Sequence, residues 1–150
     1  MTPPPSYLEI TTKIGCSINC LKYCPQEKII KNYKGNPLMT LDQFKDFMKT
    51  VPTNLPIFFS GLCEPFLNPQ TTDMILWAYH QGHPISIFST LTGLSPADAK
   101  RIISIPIDKF VLHLPDAYDN AKIPQTQDYF ETRSIIETNV KHLEYMNMGW

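Results

Sequence analysis

The sequence predicts an α/β domain built around a parallel sheet, and three features support this fold class. Runs rich in β-branched and aromatic residues recur along the chain, bounded by glycine or proline as strands usually are. The later runs are short and almost continuously apolar, which is typical of strands covered on both faces. Segments with apolar residues at helical spacing lie between them. A doubly wound sheet and part of a barrel both satisfy this order.

Four strands are predicted in chain order. They are "SYLEITTKI" (residues 6–14), "PIFFSG" (56–61), "PISIFST" (84–90) and "KFVLHL" (109–114). Because α/β folds bind ligands at the carboxyl ends of their strands, residues that follow these runs are candidates for a common site.

The first two predicted helices have recognisable ends. Thr40 and Gln43 form a capping box ahead of an apolar stripe that begins at Leu41. Thr72 is predicted to cap the second helix, and Gly82 is predicted to end it as a left-handed residue. Each helix therefore falls between two predicted strands.

Two further helices complete the alternating pattern. Ser95 opens the third, with Pro96 at the first helical position. The fourth is predicted from about Gln127 to Met146. A barrel would continue with another strand after this helix, so we expect residues 1–150 to be one domain that is incomplete at its carboxyl end.

Composition and charge exclude several classes of partner. With 13 basic and 14 acidic residues the net charge is -1, which gives no electrostatic footprint for nucleic acid or an anionic membrane. No run of about 18 apolar residues exists to span a bilayer, and the amino terminus lacks the pattern of a secretory signal. We therefore expect a cytoplasmic protein.

Three of the four cysteines, Cys16, Cys20 and Cys24, lie within nine residues of one another. In a reducing compartment such crowding favours a metal site over a disulfide. A structural zinc site normally uses four ligands in close pairs, so zinc would need a distant histidine here. Three thiolates instead suit a 4Fe-4S cluster in which the fourth iron stays open.

Two stretches carry a resemblance to the radical S-adenosylmethionine superfamily. The first, "EITTKIGCSINCLKYCPQ", resembles the family's Cys-x-x-x-Cys-x-aromatic-Cys signature, with Tyr23 directly before Cys24 and one extra residue ahead of Tyr23. The second, "FFSGLCEPFLNP", resembles the Gly-Gly-Glu region, which receives the amino group of S-adenosylmethionine. Gly61 and Glu64 match that region, and Cys63 stands where a small residue is usual.

The resemblance implies the amino-terminal half of a radical S-adenosylmethionine core domain, a partial (β/α) TIM-like barrel of about four βα units. It implies an enzyme that holds a 4Fe-4S cluster on Cys16, Cys20 and Cys24 and cleaves S-adenosylmethionine reductively. The resulting 5'-deoxyadenosyl radical would remove hydrogen from a substrate that the sequence does not identify. A reducing donor such as flavodoxin or ferredoxin would supply the electron.

Five residues are candidates for binding S-adenosylmethionine. Tyr23 would stack on adenine, the backbone at Gly61 would approach the ligand closely, and Glu64 would accept from its amino group. Thr90 and His113 lie at the carboxyl ends of the third and fourth predicted strands. For the last three residues simpler interpretations stay open: a surface ion pair for Glu64, a turn cap for Thr90 and a core histidine for His113.

Cys63 is predicted to be a small buried residue and not a ligand, because a fourth thiolate would block the open iron. The rival function is a non-catalytic iron-sulfur or zinc-binding protein, a degenerate or truncated relative that binds metal without turnover. A plain α/β binding module is a further alternative.

Overall fold

The computed structural model describes residues 5–20 and 24–147. Within this part of the chain, five strands form one sheet, β1 (Leu8–Ile10), β2 (Ile57–Phe59), β3 (Ile85–Ser89), β4 (Lys109–Leu114) and β5 (Leu143–Asn147). Neighbouring strands pair in chain order, β1-β2-β3-β4-β5, and every pair is parallel. The predicted α/β class with a parallel sheet is therefore confirmed.

Five helices connect the strands within the same described residues, and a short 3₁₀ helix at Pro65–Leu67 follows β2. They are α1 (Gln26–Asn32), α2 (Leu41–Met48), α3 (Thr71–His80), α4 (Pro96–Ile102) and α5 (Gln127–Asn139).

Two of the predicted helix starts are present as hydrogen-bonded caps. The Thr40 hydroxyl accepts from the Gln43 amide while the Gln43 side chain accepts from the Thr40 amide, which completes the capping box of α2. The Ser95 hydroxyl accepts from the amide of Asp98 and begins α4. These caps succeed because each satisfies backbone donors that a helix start leaves unpaired.

The predicted cap at Thr72 is wrong. The N-cap residue of α3 is Gln70, two residues before the predicted cap, and Thr72 lies buried inside the first turn. The neighbouring Thr71 hydroxyl donates to the carbonyl of Pro65 at 2.6 Å, so this stretch is fixed by contact with the preceding 3₁₀ helix. Gly82, at φ 95°, follows the end of α3 as predicted.

The predicted helix from Gln127 to Met146 is too long. α5 ends at Asn139, Val140 is extended, and residues 143–147 form β5 beside β4. β5 is an edge strand whose side chains are largely exposed, so it lacks the apolar run that marks the inner strands. Residues 5–20 and 24–147 therefore contain one more strand than the four that were predicted.

The first strand is shorter than predicted because residues 12–14 leave the sheet. Lys13 bridges antiparallel to Leu38, and the amide of Met39 donates to the carbonyl of Thr12 at 3.1 Å. This pairing turns the chain away from β1 just before the first cysteine.

The helices α2 to α5 pack in sequence, each against the next, as right-handed crossovers between consecutive parallel strands require. Alternate strand residues face this layer and form the core, including Ile10, Ile57, Phe59, Ile85, Ile87, Phe110 and Leu112. The sheet is open within the described residues, with β1 and β5 at its edges. The expected barrel is thus corrected to an open five-stranded sheet.

None of the helices in residues 5–20 and 24–147 is long and apolar enough to cross a membrane.

Candidate functional site

A cavity of about 390 Å³ opens at the carboxyl edge of the sheet, on the face away from the helix layer. Its floor is formed by strand residues that alternate with core residues, such as Phe58 between Ile57 and Phe59. Seven of the eight predicted site residues line it, Cys16, Cys20, Cys24, Gly61, Glu64, Thr90 and His113. The eighth, Tyr23, lies outside the described residues. Positions up to 97 residues apart in sequence therefore meet at one site.

Glu64 is the most densely hydrogen-bonded residue of this cavity. Its Oε1 accepts from the Ser89 hydroxyl at 2.7 Å and from the Phe66 amide at 3.3 Å. Its Oε2 accepts from the Thr90 amide at 2.6 Å and from the Thr90 hydroxyl at 2.7 Å. A carboxylate offers about four acceptor positions, so the protein itself occupies all of them.

Glu64 is buried, with 5% of the residue exposed to solvent. Burial raises the pKa of its carboxyl to about 7, against the opposing effect of the donors on Thr90 and Ser89. The partners of this carboxylate are hydroxyls and backbone amides, so the alternative of a solvated ion pair with a surface lysine does not describe Glu64.

Gly61 occupies a position that only glycine fits without strain. Its φ is 84°, in the left-handed region. A Cβ placed on Gly61 would lie 2.1 Å from the Thr11 hydroxyl oxygen. That hydroxyl accepts from the amide of Leu62 at 3.3 Å, so the turn after β2 packs directly against the chain that leaves β1.

The cysteine loop, residues 15–24, touches the turn that carries Glu64. The Glu64 amide donates to the Cys16 sulfur at 3.4 Å. A hydrogen bond from the Cys63 thiol, together with backbone amides including that of Glu64, lowers the pKa of Cys16 despite partial burial. These donors stabilise the thiolate form, which is the form that binds metals.

Cys63 is buried, as predicted for a small core residue. Its thiol lies 3.3 Å from the carbonyl oxygen of Glu64 and 3.6 Å from that of Gly15. The hydrogen bond to Cys16 and burial both raise the pKa of the Cys63 thiol. The fourth cysteine of the chain is therefore adjacent to the cysteine loop and in contact with Cys16.

Gln26, at the start of α1, is a site residue that sequence reasoning missed. It is only 4% exposed. Its Oε1 accepts from the Cys16 amide at 3.1 Å, and its Nε2 donates to the Cys24 sulfur at 3.2 Å and to the carbonyl of Leu62. One side chain thus joins both ends of the cysteine loop to the turn after β2. The amide two residues beyond Cys24 was a weak signal, since a glutamine in that position is usually solvated.

Thr90 combines the two roles considered for it. Its hydroxyl donates to Glu64, and it also accepts from the Thr92 amide at 3.3 Å in the turn that follows β3. The same hydroxyl lies 3.0 Å from the Thr92 hydroxyl, so Thr92 offers it a second acceptor.

His113 lines the cavity from β4 with one ring nitrogen turned into a buried position. Its Nε2 is buried and forms no hydrogen bond to any described residue. Burial lowers the pKa of the imidazole, which favours the neutral ring. Asp116, three residues later, accepts from the amides of Tyr118, Asn120 and Ala121 and so serves its own turn.

Cysteine thiolates are the ligands that an iron-sulfur cluster needs, but the described cysteine side chains are not grouped around one point. Three thiols line one cavity, and Gln26 contacts the Cys24 sulfur and the backbone amide of Cys16. Among residues 5–20 and 24–147, no three His, Cys, Asp or Glu side chains are grouped closely enough to hold a metal ion. A cluster would therefore require the cysteine loop to adjust its conformation.

Solved structures show which known folds the chain is similar to. The crystal structure of BtrN in complex with AdoMet and 2-DOIA superimposes with a TM-score of 0.69 at 16% identity. The crystal structure of selenomethionine BtrN in an open conformation superimposes with a TM-score of 0.62 at 15% sequence identity. Both alignments cover 98% of this chain and 58% of BtrN. At such identities the likeness is one of fold, and the chain spans a little over half of BtrN.

The predicted membership of the radical S-adenosylmethionine superfamily is corrected by these comparisons. No family model matches the sequence, and no curated protein matches it. The described chain is an open five-stranded parallel sheet and not the four-unit half of a barrel core that the resemblance implied. The likeness to BtrN concerns the path of the backbone, and the two short sequence stretches do not establish descent.

Proposed function

We propose that the chain binds S-adenosylmethionine at a 4Fe-4S cluster held by Cys16, Cys20 and Cys24 and promotes its reductive cleavage. The convergence of these cysteines and Glu64 on one cavity carries the proposal. The likeness to BtrN, whose crystal structure contains AdoMet, supports it. When bound together, cluster and cofactor supply a 5'-deoxyadenosyl radical that removes a hydrogen atom from a substrate.

The protein's own residues would hold and orient these groups. Gln26 keeps Cys16 and Cys24 at a fixed separation from the turn after β2. The amide of Glu64 and the Cys63 thiol favour the thiolate of Cys16. Together they would hold Cys16 and Cys24 beside the turn after β2, and the loop would then adjust to bring the three sulfurs onto one cluster.

Glu64 would receive the amino group of the cofactor by exchanging one of its present donors. The hydroxyl of Thr90 is the best candidate to leave, because the Thr92 hydroxyl lies 3.0 Å away as an alternative acceptor. The backbone amides of Phe66 and Thr90 would continue to hold the carboxylate in place. An ammonium partner would also stabilise the charged form of a carboxyl whose pKa burial raises to about 7.

A reduced flavodoxin or ferredoxin would supply the electron in a reducing cytoplasm. The protein's net charge of -1 gives little long-range electrostatic attraction for such a partner. Docking would therefore depend on the residues in direct contact. The hydrogen donor is a substrate other than the cofactor.

Anaerobic reconstitution with iron and sulfide tests the proposal. We expect about four irons per chain and release of 5'-deoxyadenosine when S-adenosylmethionine and a strong reductant are added. Replacing Cys16, Cys20 or Cys24 singly by Ala should abolish both, whereas Ser6→Ala serves as a surface control. One tightly bound zinc without iron would contradict the proposal.

The contact between Cys63 and Cys16 favours one second candidate, a non-catalytic site with four thiolates. In that case Cys63→Ala would lose the cluster or a zinc ion. Under the proposed function, Cys63→Ala retains iron and its spectrum, with a modest loss of stability from the small cavity.

A further inference from the structure

We propose that the floor of the cavity binds a protonated amine of the substrate, with Glu9 as its counter-ion and an aromatic wall beside it. The aromatic wall consists of Tyr7, Phe58 and Phe88. This inference rests on the proposed function, because it assigns the substrate class of the same cavity.

The aromatic wall runs across the first three strands. The rings of Tyr7 and Phe58 stack with centroids 4.5 Å apart and planes inclined at 18°. Those of Phe58 and Phe88 are 5.7 Å apart at 29°. All three residues line the cavity, so their faces and edges form a continuous apolar surface. Such a surface packs against carbon rings and attracts cations through the ring quadrupoles.

Glu9 supplies a carboxylate at the edge of this wall. It pairs in register with Phe58 across β1 and β2. Its Oε1 accepts from the Ser60 hydroxyl at 2.7 Å, and its Oε2 has no hydrogen-bond partner among the described residues. Glu64, in contrast, has four protein donors. Glu9 is therefore the carboxylate of the cavity with acceptor capacity to spare.

The charge of the cavity selects the sign of the ligand. Its described lining contains neither lysine nor arginine, and Glu9 is its solvent-exposed carboxylate, whereas burial raises the pKa of Glu64 to about 7. Burial lowers the pKa of His113, which disfavours a positive charge on that ring. Lys109, on the same face of the sheet, is paired with Glu144 at 2.9 Å. A cationic group would thus meet a site that the protein has not already neutralised.

The position of the floor separates the amine from the cofactor. Phe58 lies three residues before Gly61, and Phe88 two residues before Thr90, so the wall is nearer to the amino ends of the strands than the proposed cofactor residues are. A compact amine on Glu9 would therefore sit below S-adenosylmethionine, where a hydrogen atom could be removed. Because Glu9 is solvent-exposed, water weakens its ion pair, so the ion pair and the cation-π contact together favour an ammonium over a neutral group of equal shape by about tenfold.

The test uses two probes of similar shape, cyclohexylammonium and cyclohexanol, titrated into the full 150-residue chain at pH 7. Amide NMR signals of Phe58 and Ser60 report binding without cluster or cofactor. We expect the wild-type chain to bind the ammonium about tenfold more tightly. Equal affinity for the two probes would overturn the inference.

Variants identify the groups responsible. Glu9→Gln keeps the shape and can still accept from Ser60, so it should reduce the preference for the ammonium to within about twofold. Phe58→Leu should weaken ammonium binding several-fold by removing a ring face. Glu144→Gln, on the same sheet face but outside the cavity lining, is the matched control and should keep the preference. An unchanged preference in Glu9→Gln would also overturn the inference.

A final arm distinguishes the substrate from the cofactor as the source of the cation. In the cluster-loaded chain, ligand-observed NMR should show that cyclohexylammonium still binds at saturating S-adenosylmethionine. Displacement of the probe would assign the cation site to the cofactor and overturn the substrate assignment. Failure of cofactor cleavage with retained amine selectivity would reject the proposed function alone.

Discussion

The carboxylate of Glu64 receives two hydrogen bonds from one residue, Thr90, whose amide and hydroxyl lie 2.6 and 2.7 Å from Oε2. The pair joins the turn after β2 to the end of β3, and both residues are buried. Because one buried residue supplies both donors to Oε2, the contact fixes the turn after β2 against the end of β3 and so shapes the cavity.

Replacing Thr90 by Val removes the hydroxyl and keeps the amide and the shape. The loss of a buried hydrogen bond to a charged group should lower the free energy of unfolding by about 1.5 to 3 kcal/mol at pH 8. Urea denaturation measures this change. The control is Thr92→Val, whose hydroxyl does not contact Glu64 and whose cost should stay below about 1 kcal/mol. Equal costs for the two variants would refute the importance of the Glu64 contact.

The raised pKa of Glu64 predicts a pH dependence of stability with a definite sign. In the folded chain this carboxyl holds its proton up to about pH 7, whereas its ordinary pKa is 4.5. The associated stability is present below about pH 4.5 and is lost as the pH rises through 7. Relative to Glu64→Gln, the wild-type chain should therefore lose about 3 kcal/mol between pH 4.5 and 8.

Denaturation curves of both proteins at several pH values check this difference. Glu144→Gln, an exposed control, should track the wild-type curve. A difference between wild type and Glu64→Gln that stays flat, or grows in favour of wild type as the pH rises, would mean that the hydrogen-bond donors outweigh burial.

The two glycines with positive φ at the ends of β2 and α3 form a natural comparison. Gly61→Ala would place a methyl group 2.1 Å from the Thr11 hydroxyl oxygen, whereas the Cβ of Gly82→Ala would meet nothing nearer than 3.7 Å. Both substitutions carry left-handed strain. We expect Gly61→Ala to cost about 1 to 3 kcal/mol more than Gly82→Ala, measured by thermal or urea unfolding. A similar cost at the two positions would contradict the close packing at Thr11.

Gln26 should matter more for metal retention than for folding. Gln26→Leu keeps the volume but removes the contacts to the Cys16 amide, the Cys24 sulfur and the Leu62 carbonyl. We expect a stability loss of about 2 kcal/mol and markedly faster iron release to a chelator. The exposed Gln125→Leu is the control. Iron release at the wild-type rate would show that Gln26 does not position the loop.

Much of the fold could be predicted because local chemistry and tertiary packing agree. The inner strands β2, β3 and β4 are short apolar runs ended by proline or polar residues, and two helix starts have side chains that cap their own amides. β5 was missed because an exposed edge strand has no such run. α1 was missed because it is short and lacks a side-chain cap.

The candidate site could be predicted only in part. Strand ends indicate which residues meet, and Cys16, Glu64, Thr90 and His113 do meet at one cavity. The partners of Gln26 were not predictable, since the carbonyl of Leu62 lies 36 residues away in sequence. Glycine and glutamate at residues 61 and 64 resemble a ligand-binding turn in sequence, but three of the four donors to Glu64 come from Ser89 and Thr90, at the end of β3 and just after it.

Electron paramagnetic resonance of the reduced, reconstituted chain tests the central claim most directly. If Cys16, Cys20 and Cys24 hold a cluster with an open iron and Glu64 receives the amino group, millimolar S-adenosylmethionine should change the spectrum. Glu64→Gln should weaken that response by about tenfold or more in cofactor concentration while iron content is retained. A fully loaded cluster whose spectrum does not respond to the cofactor in the wild-type chain would contradict the account.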